Sequence, residues 1–515
     1  MKKLSTIELI EKIEEIKACV IHNRERFQTE TFPVHENYIY AAKNLVDYLS
    51  LRTFDFRIKQ GNLSFLGLSS FANAERYVLT NIDNILYHLR AIQGQEVQGL
   101  PSPEKSIWNF FTTLELLIKN TNRLFGESNN QIRTRIMVTL PSDSAGDVKY
   151  MTDLLVSGME IARINCSHDN PKVWESMIDT IHKAEKQTGK HCKIYMDLSG
   201  PKIRSEEIYI LKKKNNKKGD LILHIGDRIK LYSTECELKK AIDKNASEKT
   251  FAALVSMSIP NIVGSIEIGN HIWFDDGKIE GVIEETIKEY ATVLITKAKA
   301  KGTKLKKEKG INLPDTQLQL PSLTEEDISY LPFIVKHADI VGYSFVRTAY
   351  DVKQLMKALT ELNRLDIGMV LKIENKDAFN NLPDLLLTAM QWSNIGVMIA
   401  RGDLAVELGF ERISEVQEQI LWVCEAAHVP VIWATQILEN FAQTGLATRA
   451  EITDASMSVR AECVMLNKGP KIIETINTLY NILQRMEAHQ NKKTGTLRQL
   501  SFANKFFKQD AERFS

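Results

Sequence analysis

Residues 369–403, MVLKIENKDAFNNLPDLLLTAMQWSNIGVMIARGD, decide the fold class of this chain. A short apolar run opens the stretch, an amphipathic helical pattern follows it, and a second apolar run closes it. This alternation predicts a parallel βα unit, because consecutive parallel strands need a crossover connection. Each run ends in polar residues, with Lys372 and Glu374 in the first and Arg401 to Asp403 after the second.

The same unit repeats on both sides of this stretch, from Asn130 onward. The regular spacing favours a closed (βα)8 TIM barrel over a doubly wound open sheet, so the predicted fold class is α/β. We predict barrel strands at 135–140, 160–166, 193–198, 339–345, 369–374, 395–400, 430–435 and 462–466.

One barrel connection, between the third and fourth strands, reads as strands rather than helix. It alternates apolar and polar residues at 221–229, 266–274, 282–285 and 291–297, around Gly-Asp and Asp-Gly turns. We predict a small β-barrel domain over 205–305, inserted where a lid would sit. Lysine-rich stretches at 212–218 and 304–309 flank it, either as solvated turns or as phosphate-binding segments.

The remaining regions are assigned by pattern. Residues 1–130 are predicted to be an all-helical N-terminal module, and the barrel to cover 131–204 and 306–490. Residues 491–515 form a C-terminal tail, whose phenylalanines could dock on the barrel. Further predicted features are a capping box at Ser5 and Glu8, helices near 37–51, 72–92, 103–124 and 471–487, and a turn-rich segment at 61–70.

Composition restricts the function classes. The 515 residues carry a formal net charge of +1, which does not attract nucleic acid or an anionic membrane. No apolar run reaches the length of a membrane span. The 6 cysteines form no CxxC pair, so we expect reduced thiols and a cytoplasmic location. A homo-oligomer is possible.

The charged pair on the fifth predicted strand indicates chemistry. Lys372 and Glu374 are two positions apart and so point to the same face. Such a pair is costly to bury unless it is matched, either as a structural salt bridge or by ligands. In the second case Glu374 binds a hard metal ion and Lys372 a phosphoryl oxygen. Asp403 would add a second carboxylate, a set that suits magnesium better than zinc.

Several other strand ends carry groups that bind anions. Gly402 lies at a helix start, where free N–H groups favour a carboxylate or phosphate. Thr435 follows the next strand, and Arg163 and Arg204 could hold phosphates bidentately. Together these groups predict a metal-assisted phosphoryl-transfer site.

With these residues in place, the chain resembles the pyruvate kinase family over 133–486. The order and spacing of the shared segments are specific. They are ARINCSH (162–168), MDLSGPKIR (196–204), WFDDGKI (273–279), KGINLPDTQLQLPSLTEEDI (309–328), SFVR (344–347), LKIEN (371–375), IARGDLAVE (399–407), WATQILE (433–439) and TRAEITD (448–454).

The resemblance implies phosphoryl transfer from phosphoenolpyruvate to ADP, giving pyruvate and ATP, with Mg²⁺ or Mn²⁺ as cofactor. Catalysis is implied for Lys372, Arg163 and Thr435, and metal binding for Glu374 and Asp403. The implied substrate-binding residues are Ala400, Arg401, Gly402, Asp403, Thr435 and Ser344. The nucleotide-binding residues are Arg163, Asn165, His168 and Arg204, and Asp276 would act from the lid. Taken alone, His168 reads equally well as a satisfied buried histidine.

The family also holds a monovalent cation, at positions matching Asn165, Ser167, Asp197 and Leu198. Members with lysine after Gly-Pro, as at Lys202, tend to dispense with potassium, and we expect the ammonium group of Lys202 to fill that site. We therefore predict activity that does not require K⁺.

Three departures from the family keep other functions open. We expect its carboxyl-terminal regulatory domain to be missing. Its Ser-Gly-Glu-Thr segment, implicated in protonating enolpyruvate, is Asn467 to Pro470 here, and the rim residues Thr139, Leu198 and Ser199 also differ. The alternatives are a related barrel enzyme using another enolate or phosphoryl acceptor, and a non-catalytic metabolite-binding homologue.

Overall fold

A computed structural model describes most of the chain. It covers residues 3–27, 33–68, 71, 73–97, 106–128, 130–211, 221–245, 250–316, 318, 320–487 and 502–507. Its N-terminal region contains helices α1 (Thr6–Arg26), α2 (Ile39–Leu51), α3 (Arg57–Phe65), α4 (Val78–Ile92) and α5 (Phe110–Phe125). The predicted capping box starts α1, with Glu8 N donating to Ser5 Oγ at 3.2 Å.

The first part of the barrel follows directly. It consists of β1 (Arg135–Thr139), α6 (Val148–Ser157), β2 (Ile161–Asn165), α7 (Pro171–Thr188) and β3 (Lys193–Asp197). Asn170 caps α7 and Gly189 ends it in the left-handed conformation, as is common at helix termini.

The inserted domain is built almost entirely of strands. Its elements are β4 (Ser205–Ile210), β5 (Leu221–Leu223), β6 (Arg228–Tyr232), α8 (Glu235–Asn245), β7 (Ala253–Met257), β8 (His271–Phe274), β9 (Ile279–Thr286), β10 (Tyr290–Lys297), β11 (Thr303–Leu305) and β12 (Ile311–Asn312). The main sheet has the order β12-β8-β9-β10-β6-β7-β4, and β11 pairs with β5. The edges of the main sheet meet at a single antiparallel bridge between Arg204 and Gly310.

The predicted boundary of the insertion needs a correction, because its sheet continues to Asn312, past residue 305. The short β12 has no alternating pattern of its own, since it pairs only through Ile311 and Asn312. The lysine-rich stretch at 212–218 lies outside the described residues, whereas 304–309 overlaps β11 and the turn after it.

The second part of the barrel completes the fold. Its strands are β13 (Ile340–Tyr343), β14 (Gly368–Ile373), β15 (Ile395–Ala400), β16 (Val431–Ala434) and β17 (Cys463–Leu466). Its helices are α9 (Glu325–His337), α10 (Ala349–Glu361), α11 (Lys376–Asn380), α12 (Leu382–Ala389), α13 (Arg401–Leu408), α14 (Ile413–Ala426), α15 (Glu439–Thr444), α16 (Arg449–Met457) and α17 (Ile472–Glu487).

The barrel closes in the order β1-β17-β16-β15-β14-β13-β3-β2. All eight contacts between neighbouring strands are parallel, which confirms the predicted (βα)8 barrel. The carboxyl ends of the strands therefore meet at one rim, and their amino ends form the floor.

The N-terminal helices pack on the barrel, and α5 reaches into its floor. Leu124 and Phe125 are buried in one cluster with the inward-facing barrel residues. Glycines make room for them: a Cβ built on Gly368 or Gly396 would lie 2.5 Å from a methyl carbon of Leu124. Elsewhere, Arg76 forms a buried ion pair with Glu425 of α14.

Two local expectations also have outcomes in the structure. The turn-rich segment at 61–70 is partly wrong, because α3 runs through Gly61 to Phe65 and buries Leu63. In the tail, 502–507 is helical, and Phe502 packs edge-on against Phe379 with ring centroids 5.7 Å apart. Among the described residues, no helix is both long and apolar enough to cross a membrane.

Candidate active site

Lys372 and Glu374 both lie at the carboxyl end of β14 and face into the rim. The Lys372 ammonium donates to Ser344 Oγ at 2.6 Å and to Asp197 Oδ2 at 3.1 Å, and lies 3.6 Å from Glu374 Oε2. Lys372 is 8% exposed and Glu374 3%. Three neighbouring strands thus converge on one buried ammonium group.

Asp197 joins this lysine to Arg163. The Arg163 guanidinium donates through Nε to Asp197 Oδ2 at 3.1 Å, and through Nη1 to Thr139 Oγ1 at 3.0 Å. Burial alone would raise the pKa of Asp197, but Lys372 and Arg163 outweigh it and hold that pKa below its ordinary value. Asp197 therefore stays ionised and fixes both cations at the rim.

Glu374 is held from the other side. Its Oε1 accepts a 2.6 Å hydrogen bond from the backbone N–H of Phe345, which has a φ of 54°. Burial raises the pKa of Glu374; Lys372 opposes this shift, and repulsion from Asp403 adds to it. The charge of Asp403 therefore acts on Glu374, and we call these two carboxylates the acidic pair.

Asp403 is bound by Lys202, in the segment between β3 and the inserted domain. Lys202 Nζ lies 2.9 and 3.0 Å from the two carboxylate oxygens of Asp403 and 4.0 Å from Asp276 Oδ1. Burial lowers the pKa of Lys202, but Asp403, Asp276 and Glu374 outweigh it and raise that pKa. The positively charged side chain of Lys202 thus lies beside Asp403, and the charges of Asp276 and Glu374 also act on it.

We predicted an anion site at the start of α13. Ala400 provides no side-chain cap for this helix, so its first N–H groups depend on other partners. The backbone N–H of Gly402 donates to Thr435 Oγ1 at 3.0 Å. Thr435 is half-buried and has a φ of 65°, which is unusual for a β-branched residue and typical of functional sites.

Arg401 has a different role from the one its position suggests. Its guanidinium donates to Asp454 Oδ2 at 2.9 Å and to the carbonyl of Ala434 at 2.9 Å, and it stacks on the Trp433 ring. Only its backbone belongs to the anion site. The side chain instead fixes β15 to β16 and α16.

A cavity of about 300 Å³ lies beside Arg163. Asn165 and His168, which we predicted to bind nucleotide, line it, and Asn467 and Lys468 line it from the segment after β17. Burial lowers the pKa of His168, and the charges of Lys468 and Arg204 lower it further. The sequence identified Asn467 and Lys468 only as part of a departure from the family, and nothing in it indicated that they line this cavity.

Arg204 lies further out. It is half-buried, and its Nη1 donates to the carbonyl of Glu308 at 3.3 Å. Asp276 is likewise on the lid, with 54% of its side chain exposed. The lid touches the barrel through Trp273, whose ring centroid lies 6.3 Å from that of Phe410.

The residues matching the family's monovalent-cation site are held by protein groups. Ser344 Oγ donates to the carbonyl of Leu198 at 2.5 Å, and Asn165 Oδ1 accepts from Ser167 N at 3.2 Å. Lys202 was expected to fill this site, but its contacts are with Asp403 and Asp276. This difference arises because Lys202 follows Pro201, in the segment that turns into the lid rather than along β3.

The acidic pair fits a divalent cation of the magnesium type. Glu374 and Asp403 offer hard oxygen ligands, and magnesium is commonly bound by one or two carboxylates together with substrate oxygens and water. Within the described ranges, no three His, Cys, Asp or Glu side chains converge as an all-protein metal cage would require. The raised pKa of Glu374 agrees with this fit, because a cation would relieve its repulsion from Asp403.

Fold and site together define a (βα)8-barrel protein with an inserted β domain and a cluster of charged residues at the carboxyl ends of its strands. The chain belongs to the pyruvate kinase family, since the family model described as "Pyruvate kinase, barrel domain" matches residues 131–475. Helices α1 to α5 lie outside that match.

Similar curated proteins carry the same family name. A pyruvate kinase of Staphylococcus saprophyticus is 31% identical over 368 residues, and those of Bacillus licheniformis and Staphylococcus aureus are 30% identical over 368 residues. Each comparison covers 70% of this chain. The chain spans 58% of the length of each relative.

Proposed function

We propose that the protein transfers the phosphoryl group of phosphoenolpyruvate to ADP, giving pyruvate and ATP. Family membership supports this reaction. The observation that carries the proposal is the buried charge network at the end of β14, in which the Lys372 ammonium lies 3.1 Å from Asp197 and 3.6 Å from Glu374. Such a network contributes little to stability, so its presence at the strand ends favours a role in binding charged ligands.

Each residue then has a role in positioning and charge neutralisation, which account for most catalysis of phosphoryl transfer. Lys372 would neutralise charge on the phosphoryl oxygens, and Arg163 would bridge the donor and the nucleotide phosphates. The start of α13 and the Thr435 hydroxyl would bind the carboxylate of the substrate. Asp197 orients Lys372 and Arg163, and closure of the lid would exclude water.

A magnesium or manganese ion would be held by Glu374 and Asp403. When bound, such an ion supplies neutralisation of the phosphoryl oxygens. Lys202 would have to leave Asp403 when the cation and substrate bind. We expect activity to vanish with chelator and to return with added Mg²⁺.

Lys372→Met tests the proposal. A coupled pyruvate assay should show kcat/KM falling at least about 100-fold, because a preorganised charge at the transferring group is lost. The matched control is Lys376→Met, which removes an exposed lysine close in sequence and should leave the rate unchanged. Equal pyruvate formation by the wild type and Lys372→Met would refute the proposal.

One observation favours a second candidate, transfer to a different acceptor. Lys468 and Asn467 line the cavity beside His168, where the family has a Ser-Gly-Glu-Thr segment. We would distinguish the two by thermal shift and turnover. Phosphoenolpyruvate that stabilises the protein in a Lys372-dependent way, without turnover on ADP, would favour the second candidate.

A further inference from the structure

A turn of the inserted domain, formed by residues 275–277 between β8 and β9, lies against the barrel. Its residues have φ values of 52°, 54° and 82°, a left-handed run that aspartate and glycine tolerate better than most residues. Asp275 is buried, and its carboxylate accepts from Lys278 Nζ at 3.0 Å and lies 2.9 Å from Lys309 Nζ. The turn is therefore fixed from within the inserted domain.

Phe410 of the barrel receives this turn. It follows α13 in the chain and is 48% exposed. A Cβ built on Gly277 would lie 2.8 Å from Phe410 Cζ and 3.4 Å from a methyl carbon of Val406. The Trp273 ring meets that of Phe410 at an angle of 67° and a centroid distance of 6.3 Å, which is typical of an edge-on aromatic pair. Glycine at position 277 thus lets the turn lie directly on the aromatic ring.

This contact lies at the base of the inserted domain. The backbone N–H of Asp275 donates to the carbonyl of Gly310 at 3.0 Å, and Phe274 pairs with Ile311 of β12, the last strand of the insertion. A contact so close to the point where the insertion rejoins the barrel limits the angle of the whole domain, because lid motions turn on a few residues of this kind.

The same turn also reaches the acidic pair. Asp276 Oδ1 lies 4.0 Å from Lys202 Nζ, which binds Asp403. Asp403 and Val406 belong to one helix, α13, so the surface that receives Gly277 is rigidly joined to the carboxylate that we assign to the divalent cation. A shift of the turn on Phe410 would therefore move Asp276 relative to Asp403.

We propose that Phe410 is a positioning residue that sets the orientation of the inserted domain over the rim. Its ring holds residues 275–277 so that Asp276 stays beside Lys202 and Asp403. The effect of Phe410 on catalysis rests on the reaction proposed above, whereas its contact with the turn does not.

Hydrogen exchange of the full chain, followed by mass spectrometry, tests the contact without turnover. In Phe410→Ala the backbone amides of 275–278 should exchange at least about threefold faster, because the turn loses its aromatic contact. The control is Phe111→Ala, since Phe111 is 71% exposed on α5, a helix that packs on the barrel floor. Unchanged exchange at 275–278 in Phe410→Ala would overturn the proposal.

Kinetics then tests the positioning role. In a coupled pyruvate assay, kcat/KM for ADP should fall about three- to tenfold in Phe410→Ala, because fewer molecules hold the domain in the productive orientation. Phe410→Leu keeps an apolar side chain and should recover most of this loss, and Phe111→Ala should match the wild type.

Urea unfolding separates positioning from stability. The unfolding midpoint of Phe410→Ala should equal that of the wild type, because the side chain is half exposed. A wild-type kcat/KM despite faster exchange, or a lowered midpoint in place of faster local exchange, would overturn the positioning role. If the wild type itself does not turn over ADP, only the proposed reaction fails, and the exchange result still decides the contact.

Discussion

At the scale of single residues, charged side chains at the rim compensate one another in pairs that the net charge of the chain does not reveal. Asp197 compensates Lys372 and Arg163, whereas Lys202 compensates Asp403. The second pairing joins the segment before the inserted domain to the carboxylate that we assign to the divalent cation. Lys202 does not occupy the positions that match the family's monovalent-cation site, but we propose that its ammonium group supplies, beside Asp403 and Asp276, the positive charge that potassium supplies in potassium-dependent relatives.

This reasoning predicts the monovalent-cation requirement. The wild type should turn over equally in sodium-only and potassium buffers, whereas Lys202→Glu should lose at least about tenfold in sodium and recover with potassium. Lys376→Glu makes the same charge change at an exposed neighbouring position and should show no such dependence. Stimulation of the wild type by potassium would contradict the prediction.

Glu407 gives a prediction for pH. Burial raises its pKa from 4.5 to about 7, opposed by a hydrogen bond from Asn312 and reinforced by Asp403. The folded protein thus holds this proton up to about pH 7, while the unfolded chain releases it near 4.5. Folding takes up a proton in this window, so this group lowers the free energy of unfolding as pH rises through it.

Glu407→Gln should therefore be more stable than the wild type at pH 8, by about 1–3 kcal/mol, and the difference should shrink toward pH 5. Urea unfolding at several pH values measures it. The exposed Glu411→Gln serves as the control and should follow the wild type. A constant difference between Glu407→Gln and the wild type at all pH values would show that the carboxyl does not titrate there.

At the scale of elements, α5 acts as part of the barrel. Its last turn places Leu124 against the floor, where Gly368 begins β14 and Gly396 is the second residue of β15, and neither glycine has a side chain in the way. The helical pattern of α5 was visible in the sequence. The docking of α5 on the barrel was not visible, because Gly368 and Gly396, which make room for Leu124, lie beyond the inserted domain along the chain.

Leu124→Ala should consequently destabilise the protein by about 2–5 kcal/mol, since it leaves a cavity among rigid strands. Chemical denaturation followed by far-UV circular dichroism measures this loss. Leu114→Ala on the same helix is half-buried and should cost clearly less. Similar losses in the two variants would mean that Leu124 does not fill the floor.

At the scale of the whole molecule, the features that could be predicted from the sequence were those that repeat along it. The eight βα units were found because each strand repeats the same apolar run, and the rim residues followed from the strand ends. Contacts between distant segments were not predictable, such as Lys202 with Asp403 or the Arg401 guanidinium with Asp454. The periodicity of apolar residues indicates which face of a helix or strand is buried, but it does not indicate which distant residues that face contacts.

The dependence of the barrel on the N-terminal module yields a last prediction. A chain starting at Ser106 keeps α5, with Leu124 and Phe125 in the barrel floor, but loses the Arg76–Glu425 pair. A chain starting at Gln131 begins where the family match begins and lacks α5 as well. We expect the first to remain folded with a lowered melting temperature.

The second should aggregate, because the apolar floor residues around Met398 and Val370 lose Leu124 and Phe125. Soluble yield and the cooperativity of thermal unfolding compare the two directly. The chain starting at Gln131 could instead be as soluble as the longer one and unfold as cooperatively. That result would mean that barrel residues alone close the floor, and that α5 is not a structural part of the barrel.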